Sequence, residues 1–419
     1  MFSKLALNAK IGFFLAWRQI RHSSFWTTGL IVFVMVLTFL NLVVVSGILV
    51  GLIEGSIAAW HKQYTGDIIV STLLNKEYIE NSPNIVTLIK TLPEVEQISA
   101  RFNKGVTLEA NYQTRKENEK PNIASAQLIG INPVEEDKLT GLSSHILAGS
   151  YLNQSDYDKV LVGYFLLKQY IPVDSPGFSA LENVDVGTKI RIKINDVARE
   201  VTVKGILKSK VDNVSMGVYM VDSEAKNLIG RDDGNAAQIA VNLKDGIDPL
   251  VVKSALVLAG VDKVAKVQTY VDAQPQFLKD IIKTFATLGN FLSSIGLVVA
   301  SITIFIVIFI NALTRRKFIG ILKGIGINGQ AIEMSYIFQS MFYAFLGSAI
   351  GLLVVYFLLV PLFVAHPIDF PFSDGILVAP LGETLVRVAL LVISTIIAGY
   401  IPARMIVRKN TLDSILGRN

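Results

Sequence analysis

Side-chain chemistry needs acids, bases, nucleophiles or metal ligands at defined spacings, and this sequence offers none of the familiar ones. There is no cysteine, which excludes disulfides, thiolate zinc sites, iron–sulfur clusters and cysteine nucleophiles. The four histidines, His22, His61, His145 and His366, lie far apart and show no HExxH or other ligand spacing. No GxSxG elbow occurs. The glycine-rich run Gly320–Gly326 (GILKGIG) lacks the GxxxxGK[ST] order that cradles nucleotide phosphates. The carboxylates are numerous but unpatterned. The chain is therefore expected to be non-catalytic, with no metal or cofactor of its own. The segment that stands out is Arg315–Glu333, RRKFIGILKGIGINGQAIE. Three basic residues precede Ile319, Ile321, Leu322 and Ile325, interleaved with glycines and Lys323. A short amphipathic element of this kind either docks in a groove of another protein or lies as an interfacial helix in a basic loop.

The elements that must position this segment are membrane spans. Hydrophobic residues make up 51% of the chain and charged ones only 17%, against about 25% in soluble domains. Four stretches reach the ~20 apolar residues that cross a bilayer. Residues 25–53 form the first and 284–314 the second, both free of Lys, Arg, Asp and Glu. The third apolar run is Met334–Ile368, assigned to a span over 334–361 with an outer loop at 362–380. The fourth covers 381–403 and carries Glu383 and Arg387, four apart on one helix face. The first span is too long for a signal-peptide core, which runs ~7–15 residues. Gly289/Ser293 and Gly296/Ala300 in span two, and Gly347/Gly351 in span three, have the small-residue spacing of close helix packing, within one chain or against a second copy.

Charge orients the spans. Residues 1–22, 315–333 and 404–419 together hold 12 basic residues against 2 acidic ones. Residues 54–283 hold 26 basic and 29 acidic. The positive-inside rule then places the 1–24 helix, the 315–333 loop and the 404–419 tail in the cytoplasm, and 54–283 outside. The basic balance is a topology signal, and no nucleic-acid partner is expected.

The sequence predicts an α+β fold for 54–283. Gly66–Ser71 reads as a strand, Ser82–Leu92 as a helix with Ser82 as cap and Pro83 in its first turn, and Gln97–Asn111 as a strand pair turning at Asn103–Gly105. Ala236–Leu243, Asp248–Ala259 and Lys263–Val271 repeat strand, helix, strand. Two such units suggest a split βαβ core with a strand-rich insertion at about 140–216, containing Lys159–Val162, Thr188–Ile194 and Val201–Leu207. Asn111–Asn122 reads as a polar loop. A 31-residue helix spans about 46 Å, more than the ~30 Å bilayer core, so spans one and two should continue outward as helical stalks. The expected fold class is a membrane protein with four transmembrane helices and a large extracytoplasmic α+β domain.

Residues 315–353 resemble the cytoplasmic loop and third span of the FtsX-like/MacB-type permeases of ABC transporters, whose pattern is approximately RRxEIGILRALGAxxxxI…E…G…G. The ending GYIPARMIVRKNTLDSIL (Gly399, Tyr400, Pro402, Ala403 and Arg404 carry its motif) resembles that family's C-terminus, and Leu15–Arg21 resembles its amphipathic start. Leu128–Pro133, Gly149, Val186–Ile190 and Val203–Ile206 resemble its periplasmic core domain. Phe318 stands where the family usually has Glu, and Thr411–Leu412 replaces its proline region.

The resemblance implies a permease subunit in the cytoplasmic membrane. Its coupling element would comprise Arg315, Arg316, Lys317, Ile319, Gly320, Ile321, Leu322, Lys323, Gly324 and Gly326. Its partners would be two copies of a separate ATPase carrying ATP and magnesium, a second permease copy or paralogue, membrane lipids, and an extracytoplasmic adaptor or lipoprotein. The ATPases would drive the spans, and the stalks would move the outer domain on lipoprotein, lipid or amphiphilic cargo. The alternative is a regulator that activates a cell-wall hydrolase and transports nothing. A third reading is an anchored binding protein with no ATPase.

Overall fold

A computed structural model describes residues 2–116, 118–171, 179–194, 197–231, 233–375 and 377–408. The chain divides into two compact units. One comprises 1–53, 280–369 and 374–419; the other comprises 54–279 and 370–373. The first helices are α1 (Phe2–Arg21) and α2 (Phe25–Trp60), and α2 passes into a π-helical turn at His61–Thr65.

The 54–279 unit is built on one long sheet. Its elements are β1 (Ile68–Thr72), α3 (Ser82–Lys90), β2 (Val95–Ala110), β3 (Asn122–Ile131), α4 (Pro133–Thr140), β4 (Ile146–Gly149), β5 (Lys159–Gly163), β6 (Lys189–Ile194), β7 (Val197–Leu207), α5 (Asp212–Ser215), β8 (Gly217–Val221), α6 (Asp222–Ile229), β9 (Gln238–Leu243), α7 (Pro249–Leu258) and β10 (Ala265–Thr269). Strands β10, β1, β9 and β2 lie side by side in that order, all antiparallel to their neighbours. Thus β1 and β2 are parallel with β9 between them, and β9 and β10 are parallel with β1 between them. With α3 and α7 as crossovers, these are two interlocked split βαβ units. Their core holds Ile68, Val70, Ile89, Ile239, Val241, Leu256 and Ala265.

Three sequence expectations need correcting. Asn103–Gly105 makes no turn: β2 is one strand of 16 residues. Its first half pairs with β9, up to Arg101 opposite Gln238, and its second half pairs with β3, from Phe102 opposite Gly130. The strand is long because it serves two neighbours in succession, and the hairpin turn falls instead within 111–121. Ser82 does not cap α3; the cap position is Asn81, at φ 59°. The Ser82 hydroxyl instead accepts the Ala236 N–H at 2.7 Å, which ties α3 to the chain entering β9. The added strands also reach beyond 140–216, because β3 and β8 pair in parallel and belong to the same extension. In that extension the alternating KIRIKI of β6 buries Ile190, Ile192 and Ile194.

Helix ends follow local chemistry. Asn132 accepts the N–H groups of Val134 and Glu135 to start α4, Pro133 follows it, and Gly141 at φ 63° ends the helix. Asp248 caps α7 through Leu250, followed by Pro249.

Acidic groups brace this unit. Asp156 has a buried side chain. Burial pushes its carboxyl up, but the Asn153 N–H, Lys204 and Lys159 outweigh burial and hold it at about 2. Asp272 is held at about 2 chiefly by Lys253, which ties α7 to the turn after β10. Both folded values lie below the ordinary 3.8. Their stabilisation is therefore present above pH ~4 and lost as pH falls toward ~2. A 54–279 fragment should show a lower urea midpoint at pH 2.5 than at pH 5, with Asp156 contributing more, since Asp272 is 41% exposed. If the midpoint of Asp156→Asn falls between pH 5 and pH 2.5 by as much as that of wild type, Asp156 is removed from the account.

The remaining helices are α8 (Gln276–Thr314), α9 (Arg316–Gly324), α10 (Gly329–Leu353), α11 (Val360–Ala365) and α12 (Leu381–Val407); a π-helical stretch, Val354–Leu359, joins α10 to α11. Two short strands, β11 (Ile368–Phe370) and β12 (Ser373–Gly375), pair before α12. Among the described residues four helical stretches are long and apolar enough to cross a membrane: 28–65, 276–314, 329–365 and 381–407. In the first unit, Met35, Phe39 and Val43 recur every four residues on α2 and are fully buried. Gly347 and Gly351 of α10 meet that face. A Cβ on Gly347 would lie 2.4 Å from Met35 Cβ, and one on Gly351 would lie 2.2 Å from Phe39 Cδ1. Replacing Gly351 by Val should cost about 1–3 kcal/mol by overpacking. A melting curve of the detergent-purified chain reads this as a lower Tm, and an unshifted Tm would refute the contact.

Candidate functional site

The segment singled out in the sequence folds as α9 and the turn that follows it. Arg315 stands at the cap position and α9 ends in a glycine motif. The Ile327 N–H bonds the Leu322 carbonyl and the Gly326 N–H bonds the Lys323 carbonyl, both at 3.0 Å, with Gly326 at φ 93°. This is the Schellman arrangement, which requires a residue tolerant of positive φ at the Gly326 position. Asn328 then caps α10 by accepting the Gln330 N–H.

The helix has two apolar sides. The inner side is Ile319, 3% exposed, with Gly320 buried and Leu322 half-buried. It joins a cluster with Ala312, Ile332, Tyr336, Ala403, Ile406 and Val407. Lys323 donates from Nζ to the Val407 carbonyl at 3.0 Å, satisfying a carbonyl in the last turn of α12. The α9 segment and the end of α12, joined by this bond across 84 residues of sequence, are therefore one packed structure.

The outer side is Phe318, Ile321 and Ile325, exposed by 62, 51 and 71%. Their offsets of three and four place them on one face. Lys317 and Gly324 are exposed beside them, and Arg315 and Arg316 are half-buried. Ile319 and Gly320, which the resemblance includes in a coupling element, seat the helix from within. Phe318 and Ile325, which it does not include, share the exposed face with Ile321, at i, i+3, i+7 from 318.

In the C-terminal motif, Gly399 lies so close to α10 that a Cβ would stand 1.9 Å from Ser340 Oγ. Pro402 and Ala403 are buried. Arg404 donates to the Tyr400 hydroxyl at 2.8 Å and lies over its ring. Residues 409–419, including Thr411–Leu412, lie outside the described residues. The helix-packing glycines are used within the chain: Gly289 and Gly296 approach Leu49 and Asn41 of α2, as Gly347 and Gly351 approach Met35 and Phe39. Ser293 is half-buried, and the Ala300 side chain lies outside the described residues. On the other side of α10, α1 packs by an Asn8–Gln330 hydrogen bond of 3.1 Å and an edge-on Phe13–Phe338 contact.

A second polar centre lies inside the 54–279 unit. Arg101 of β2, 2% exposed, donates to both carboxylate oxygens of Glu136 on α4, at 2.7 and 3.0 Å, and to the Tyr64 carbonyl at 2.7 Å. Ser99 adds a bond to Glu136 at 2.7 Å. Burial opposes the Arg101 charge, but Glu136 outweighs it and raises the guanidinium above its ordinary value. Tyr64 belongs to the turn that ends α2, so this pair fixes the turn against the sheet. Among the described residues no group of three or more His, Asp or Glu could hold a metal ion.

Comparisons with known proteins add the following. Residues 290–411 match the family model described as FtsX-like permease C-terminal. No curated protein matches the chain. The chain is similar to the crystal structure of the periplasmic region of MacB from Actinobacillus actinomycetemcomitans, at 16% identity and a TM-score of 0.35, covering 52% of this chain and 92% of that one. It is also similar to the extracellular domain of the noncanonic ABC-type transporter YknZ from Gram-positive bacteria, at 15% identity and a TM-score of 0.32, covering 48% of this chain and 98% of that one. The matched family segment takes in α8 from residue 290 onward, all of α9 to α12 and both motifs described above. Residues 290–411 carry the likeness to the FtsX-like permease C-terminal family.

Proposed function

We propose that the chain is the permease subunit of an ABC transporter, working with a separate ATPase that binds ATP and magnesium. The observation that carries the proposal is the exposed apolar face of α9 on a helix already fixed from within by Ile319 and Lys323. A rigid helix with unpartnered Phe318, Ile321 and Ile325 suits a groove in a partner. The basic residues beside it favour the cytoplasmic side, where the termini would also lie. Helices α2 and α8 run 36 and 39 residues, longer than the ~20 that a bilayer needs, and the extra turns would pass motion to the outer domain. A second permease copy completes the assembly. Cargo would be a lipoprotein, lipid or amphiphile handled outside the membrane.

The test is affinity purification of the full chain in mild detergent with identification of co-purifying proteins. A stoichiometric P-loop ATPase supports the proposal. Its absence, under conditions that preserve other ABC complexes, would leave an anchored binding protein as the better reading. A lipoprotein or a cell-wall hydrolase in the same sample decides between release and regulation.

A further inference from the structure

We propose that the cleft between α2, α8 and α12 binds a phospholipid, with Arg387 holding its phosphodiester. The inference rests on reading these three helices as membrane spans. The cleft has a volume of 430 Å³, and Arg387 forms part of its lining. The Arg387 side chain is only 14% exposed. Its Nη2 donates to Ser46 Oγ at 2.7 Å and to Glu383 Oε2 at 3.2 Å. Its Nη1 is buried and has no acceptor. A guanidinium left half-satisfied in an apolar bundle is costly, and the group that matches its planar fork is a carboxylate or a phosphate.

The depth fits a lipid headgroup reached from within the bundle. Arg387 lies six residues into α12, about 9 Å along the axis. That is within snorkelling range of the interface. The cleft is amphiphilic in the same sense as a phospholipid. Leu42, Leu297 and Leu390 supply apolar wall for an acyl chain, and Asn290 and Ser293 supply hydrogen bonds beside the arginine. Glu383, 55% exposed, is the one carboxylate at the site. It offers a partner to an ammonium on the headgroup, which phosphoglycerol lacks. The cleft therefore favours a zwitterionic phosphoethanolamine headgroup over phosphoglycerol.

The test uses the full chain in mild detergent. Native mass spectrometry counts retained phospholipid, and thermal shifts follow addition of phosphatidylethanolamine, phosphatidylglycerol or inorganic phosphate to delipidated protein. Wild type should retain phospholipid and be stabilised most by phosphatidylethanolamine. Arg387→Met should lower retention about tenfold or more, as loss of a charged hydrogen bond implies. Leu390→Trp, which fills the cleft and leaves the arginine in place, should lower it as well. Equal retention in a folded Arg387→Met chain overturns the proposal. So does stabilisation by inorganic phosphate equal to that by lipid, which would mean a free-anion site. A lipid-free wild-type dimer with the cleft covered by the second copy overturns it too. ATPase recovery is read on the same samples. Because it depends on α9, loss of the lipid result and loss of the permease reading are distinguishable.

Discussion

Replacing Ile321 and Ile325 together by aspartate is expected to abolish recovery of the ATPase while the chain still reaches the membrane in normal amount. Both side chains lie on the exposed side of α9, at 51 and 71% exposure, so the change removes little internal packing. An anchor at the centre of an interface is worth about 2 kcal/mol or more, and two buried carboxylates without partners cost further. The loss should exceed about a thousandfold in affinity, since each 1.4 kcal/mol is tenfold. Phe318→Ala should give a smaller loss, and Ile319→Asp should instead deplete the chain itself, because Ile319 is buried. The measurement is the ATPase-to-permease ratio after pull-down, alongside permease abundance in membranes. Wild-type ratios in the double aspartate variant would sink the docking assignment. Deleting Gly320–Gly326 tests the same element more crudely, since it also removes the seat of Lys323 on Val407.

Arg101→Met is expected to be the most damaging single substitution in the 54–279 unit. It leaves Glu136 buried without its guanidinium partner, with Ser99 and Thr140 as its remaining hydrogen-bond donors. Breaking a buried pair from one side costs about 3–5 kcal/mol. For a unit of this size that corresponds to a fall in Tm of roughly 6–20 °C. The double variant Arg101→Met/Glu136→Leu should recover much of the loss, because no charge is then left unpaired. Thermal melts of the 54–279 fragment and of the full chain check both. A single variant that melts within about 2 °C of wild type would show that the pair does not hold the turn at Tyr64.

Local signals carried far in this sequence. The four apolar runs, the helix from Asp248 and the alternation of KIRIKI each depend on neighbours within a few residues, and each reads directly. The split βαβ order was legible because its two strand–helix–strand runs are each contiguous. What was hidden depends on partners far away. That β2 continues through Asn103–Gly105 is decided by β9 on one stretch and β3 on the next, and no window of 15 residues that includes Asn103–Gly105 reaches either partner. Ser82 looks like a cap until Ala236 is beside it. At the site, the amphipathic character of α9 was readable, but which apolar side faces out was not. That depends on Ile406 and Val407, which arrive at the other end of the chain. The pairing of Arg101 with Glu136 had no sequence signal, since each is an ordinary charged residue in a polar neighbourhood.

The Lys323–Val407 bond also has a consequence in time. A ribosome adding about 5–20 residues per second needs roughly 4–17 s to pass from one partner to the other. Throughout that interval α9 exists without the α12 part of the surface that seats it, Ala403, Ile406 and Val407, and a chain interrupted before α12 never acquires that part. Recruitment of the ATPase would then report that synthesis has reached the end of the last span. Prematurely terminated permeases would fail to capture the motor subunit and so would not divert it from complete ones.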